Sequence, residues 1–66
     1  MSLTEKCASD MFNFAMLQGG QFSVSALKEY LMDIVGYKKN TFYNALHMLE
    51  RKNQISLLGG ETYIIL

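Results

Sequence analysis

The chain has 66 residues, half of them hydrophobic and 18% charged, with no proline and five glycines; this is the balance of one small globular domain, not of a linker or a disordered tail. One cysteine and one histidine are too few for a disulfide or a four-ligand zinc site, so no metal, cofactor or cross-link is expected. The formal net charge is zero, yet Lys38, Lys39, Arg51 and Lys52 against Glu50 put +3 between positions 38 and 53 and leave −3 elsewhere. Such a segment is either a local anion-binding surface or a solvated helix face.

The start Met1-Ser2-Leu3-Thr4-Glu5-Lys6 has no apolar run behind a basic patch, so no signal peptide is expected. No stretch approaches the about 18 apolar residues of a membrane span, and the expectation is one cytoplasmic domain over residues 1–66. Ser2 and Glu5 have the spacing of a capping box, which predicts a helix over about residues 3–18. Leu3, Cys7, Met11, Phe14 and Ala15 recur at helical spacing until Gly19-Gly20 stops the run,. Ala8, Phe12 and Met16 form a flanking stripe, which serves either as extra core or as a surface for self-association.

Gln21-Phe22 suits a short strand or extended lead-in, and Ser23 an N-cap with Phe22 and Leu27 as a hydrophobic staple across it,. Val24, Leu27, Leu31, Ile34 and Val35 then mark the buried face of a second helix ending at Gly36,. Only Tyr37 and its neighbours separate it from a third helix over about 38–53, so the two helices meet in a tight turn. In that third helix Phe42, Ala45, Leu46 and Leu49 define the buried face,. Asn40, Asn44, His47 and Arg51 run along the opposite side, with Tyr43 at the stripe's edge and Asn53 at the left-handed C-cap,. Ile55–Leu58 and Glu61–Leu66 read as strands joined by a two-residue type I′ turn at Gly59-Gly60,.

Helix, short strand, helix, tight turn, helix and hairpin is the order of a winged helix-turn-helix. The stretch Phe22-Ser23-Val24-Ser25-Ala26-Leu27 resembles the start of that fold's second helix. The stretch from Val35 to Ile55 resembles the turn, recognition helix and first wing strand of bacterial winged-helix repressors. Within it, Thr41-Phe42-Tyr43-Asn44-Ala45-Leu46 followed by Leu49-Glu50 is most similar to the PadR-like group. As an architecture the resemblance covers nearly the whole chain, and as a sequence motif residues 22–55. It implies an α+β fold of three helices with a C-terminal β-hairpin wing, and a regulator that binds DNA. Three departures stand out: Lys38 replaces the usual serine or threonine cap, a C-terminal dimerisation helix is not expected among these residues, and the Gly-Gly wing carries no lysine or arginine.

In a helix-turn-helix the second of the paired helices enters the major groove with its N-terminal half against the bases. Asn40 and Asn44 then suit adenine, and His47 can donate to guanine,. Lys38, Lys39 and Arg51 suit phosphates; Tyr43 suits a phosphate or a sugar, and Thr41 a phosphate or a local cap,. Lys28 and Tyr30 on the second helix are further candidates for the DNA backbone. The plainer alternative is a solvated face with Tyr43 half buried against the second helix.

No enzyme is expected. Cys7 falls on the core side of the first helix and His47 on the outer face of the third, and no P-loop or dinucleotide fingerprint occurs,. No small-molecule ligand is expected. The expected function is a small bacterial, phage or plasmid regulator of transcription or replication, bound to double-stranded DNA as a homodimer through Phe12 and Met16. The alternative is a winged-helix protein-interaction module or an inhibitor of a host protein, docking through the same flank of the first helix.

Overall fold

In the computed structural model, which describes residues 2–66, the elements are α1 (Leu3–Leu17), β1 (Gln21–Ser23), α2 (Val24–Lys28), a π-helical segment (Glu29–Val35) continuous with α2, α3 (Lys39–Arg51), β2 (Ile55–Gly59) and β3 (Thr62–Ile65). Three helices and a three-stranded antiparallel sheet make this an α+β fold.

The capping box forms as its spacing predicts. The Ser2 hydroxyl accepts from the Glu5 amide at 3.1 Å, and the Glu5 carboxylate accepts from the Ser2 amide at 3.0 Å. Hydrogen bonding from the Ser2 amide, and then from its hydroxyl, holds the Glu5 carboxyl below its ordinary value. α1 ends where Gly19 and Gly20 take φ of +82° and +88°, and the Gly20 amide closes on the Ala15 carbonyl at 2.9 Å. It buries Cys7, Ala8, Met11 and Ala15. Ala8 is therefore core and not flank, because a small side chain there lets α1 approach its neighbour closely. Phe12 is half-buried and Met16 exposed.

Ser23 caps α2, its hydroxyl accepting from the Ala26 amide at 3.1 Å. Phe22 and Leu27, on either side of that cap, are both buried,. Beyond Lys28 the chain departs from the expected register. Leu31 is fully buried, but Ile34 and Val35, expected on the same buried face, are 71% and 45% exposed. For Ile34 the physical reason is the π-helical turn, whose i→i+5 bonding widens each turn and carries the position three residues after Leu31 away from its side; Val35 is the last residue of the segment, before the left-handed Gly36. The Gly36 amide bonds the Leu31 carbonyl at 3.0 Å, five residues back, and the Tyr37 amide reaches the same oxygen at 2.9 Å. Gly36 accommodates this closure at φ +101°, a conformation that side chains rarely adopt,.

α3 starts at an extended Lys38 that offers no side-chain cap, and it buries Phe42, Ala45, Leu46 and Leu49. Asn53 follows at φ +58°, the one positive value outside glycine among the described residues.

The strand order is β1-β3-β2. Phe22 and Leu57 both face Tyr63 in register, and Ile55 faces Ile65. The Phe22 and Tyr63 rings stack at 5.8 Å. The hairpin turn differs from expectation. Gly59 pairs with Thr62 inside the ladder, so the turn is Gly60-Glu61. Only Gly60, at φ +56°, is left-handed, which excludes type I′,. Leu58 becomes the extra residue of a bulge between Leu57 and Gly59,. The shift places Glu61 against the start of α2. There its carbonyl accepts from the Val24 amide at 2.9 Å, and its carboxylate accepts from the Ser25 amide at 3.3 Å and from the Ser25 hydroxyl.

Among the described residues, fourteen buried hydrophobic side chains, drawn from every helix and strand and from the turn before α3, form one cluster. Among the described residues, no helix is long and apolar enough to cross a membrane.

Candidate nucleic-acid interface

α3 has two chemically distinct sides. Opposite its buried residues, Asn40, Asn44, His47 and Arg51 are all exposed, at i, i+4, i+7 and i+11 along one stripe. Lys38 and Lys39 are exposed at its N-terminal end. The other two expected site residues, Thr41 and Tyr43, are half-buried.

Tyr43 is held on two sides. Its ring meets the buried Phe42 ring edge-on at 5.1 Å and 89°, and the Lys28 ammonium lies 5.2 Å from its centroid. The His47 ring is 6.4 Å away. A cation over an aromatic face is attracted by the ring quadrupole. Lys28 is thereby brought from α2 to the edge of the α3 stripe, which extends the positive segment across the helix junction. Tyr30 goes elsewhere, stacking on Phe14 of α1 at 5.2 Å.

The β2–β3 hairpin carries none of this basic chemistry. Leu57 and Leu58 are 50% and 61% exposed, and the turn's one ionisable side chain, Glu61, is a carboxylate already engaged by Ser25. Phe12 lines a shallow groove of about 300 Å³ between α1 and the end of α3, with Met48 and Lys52 among its walls. Met16, its partner in the proposed self-association surface, is not among that groove's lining residues.

Sequence reasoning missed the Tyr37–Asp10 pair. The Tyr37 hydroxyl donates to the Asp10 carboxylate at 2.6 Å, tying α1 to the turn before α3. That bond, with burial, pushes the Tyr37 phenol up to about 12. An aromatic residue in a very short connection signals burial, but nothing local to Asp10 marks it as the partner. Cys7 is fully buried, and desolvation with the nearby Asp10 charge pushes its thiol up to about 11. A thiol so protonated is a core side chain, since reactivity belongs to the thiolate. Burial likewise raises Tyr63, with Glu50 adding to the shift. Among the described residues, no three histidine, cysteine, aspartate or glutamate side chains gather as a metal site would require.

No protein family, curated protein or solved structure matches this chain.

Proposed function

We propose that the chain is a winged helix that binds duplex DNA through α3, as a small regulator of transcription or replication. One observation carries this reading. The exposed stripe Asn40, Asn44, His47 and Arg51 runs opposite the core-facing side of α3 and coincides with the only strongly basic segment. In the major groove Asn40 and Asn44 read adenine, and His47 donates to guanine. Lys38, Lys39 and Arg51 neutralise phosphates, with Lys28 beside them at Tyr43,. The α3 N-terminus supports the same orientation, because Lys38 leaves the first-turn amides without a side-chain acceptor,. The apolar wing supplies no cation, so affinity rests on α3. So few phosphate contacts call for two copies on a two-fold site, with Phe12 and Met16 as the surface between them.

The test is an amide NMR titration with a short mixed-sequence duplex at low and moderate salt. Shifts should concentrate in residues 38–51 and fade as salt rises. Replacing Lys38, Lys39 and Arg51 by alanine should abolish binding; single replacements should each flatten the salt dependence by about 0.9 in log–log slope. Absence of shifts at low salt removes the reading.

The exposure of Met16 and Leu17, 59% and 85%, favours a second reading, in which the flank of α1 docks on another protein. Under it the triple alanine variant retains full function.

A further inference from the structure

The π-helical segment ends with two aliphatic side chains outside the core. Ile34 is 71% exposed and Val35 45%, although their spacing from Leu27 and Leu31 is that of a buried stripe. π-helical turns are rare and are frequent at functional sites. Here one of the two exposed side chains lines a groove. Val35 lines a groove of about 420 Å³ together with Leu3, which is 59% exposed, and the backbone turn at Gly36 and Tyr37. Leu3 comes from the first turn of α1 and Val35 from the far end of the second helical stretch, so the apolar floor is assembled from two elements.

The formal charge among the groove's lining residues is one-sided. Lys6 and Lys38 are the charged residues in the groove's wall, and no aspartate or glutamate is among its lining. An exposed aliphatic floor with two ammonium groups at its rim matches a segment that is apolar on one side and carboxylate-bearing beside it. We propose that this groove, formed by Leu3, Val35, Lys6 and Lys38, docks an acidic amphipathic peptide segment of a partner protein. Its apolar side chains cover Leu3 and Val35, and its carboxylates meet Lys6 and Lys38. The surface is distinct from the α3 stripe and from the Phe12–Met16 flank, sharing only Lys38 with the former. It stands whether or not α3 binds DNA.

The test is selection from a displayed library of random 14-residue peptides against the purified chain, followed by amide NMR with the enriched peptides. The expected result is enrichment of peptides with leucine, isoleucine or phenylalanine beside aspartate or glutamate. Their shifts should fall on residues 3–6 and 34–38. Val35→Asp and Lys6→Glu should each weaken binding about fivefold or more, since each sets a repulsive charge against the peptide. Both positions are exposed at the groove, so an unchanged amide spectrum elsewhere verifies that the variants fold. Failure to enrich peptides, enrichment without acidic bias, or binding insensitive to Val35→Asp overturns the proposal. So do shifts at residues 3–6 and 34–38 that depend on the concentration of the chain alone, because the occupant is then a second copy.

Discussion

Tyr37 concentrates more of the molecule's cohesion than its place in a three-residue connection suggests. Its ring is buried in the common core, while its hydroxyl donates to Asp10 on α1. A hydrogen bond to a charged acceptor contributes about 1.5–3 kcal/mol. Tyr37→Phe should therefore lower stability by about 1–3 kcal/mol in urea titration, the loss being tempered because Asp10 regains water. The pH dependence has a definite sign. Tyr37 is raised from 10 to about 12 and Cys7 from 9 to about 11. Each is a group whose folded state favours the proton. Their contribution is complete below the unfolded values and is lost as pH rises through the folded ones, Cys7 first and Tyr37 from pH 10 upward,. Urea midpoints of the wild type should fall between about pH 9 and about pH 12, and Tyr37→Phe should show a shallower fall above about pH 10,. An identical fall in the variant would assign the titration to other groups.

At the scale of elements, the π-helical segment separates two aliphatic positions that look alike in sequence. Leu31→Ala should cost about 2–5 kcal/mol, since it opens a cavity in a filled core. Ile34→Ser should change stability by no more than about 0.5 kcal/mol, because its side chain is already in water. Thermal unfolding of the two variants checks the contrast, and equal losses would place Ile34 in the core after all. The caps were legible because cap and partner lie within three or four residues: Ser2 with Glu5, Ser23 with Ala26, and Asn53 at its left-handed turn. The α3 stripe was legible because its period is that of a regular helix. The exposure of Ile34 and Val35 was not, because α- and π-helical turns use neighbouring backbone angles and differ in which carbonyl each amide finds. The Gly60-Glu61 turn was not either, because Glu61 binds Ser25, 36 residues away. Within the site, the polar residues of α3 were legible but the Lys28–Tyr43 contact was not, since it depends on how α2 and α3 cross.

For the molecule as a whole, the proposal that α3 alone carries the DNA-binding face makes oligomerisation the decisive variable. Replacing Phe12 and Met16 together by glutamine should give monomers in sedimentation with the helical circular dichroism retained. A variant that still sediments as a dimer would move the contact to another surface. The strand order has its own consequence for how the chain is made. β1 and β2 touch only through β3, which pairs with both. Synthesis delivers β1 about forty residues before its partner, since Gln21 pairs with Ile64. A nascent chain that has emerged through β2 thus carries two strand segments with open edges and no sheet to enter. The helices alone must shelter Phe22 and Ile55 until Thr62–Ile65 arrives and closes both ladders in a single step,.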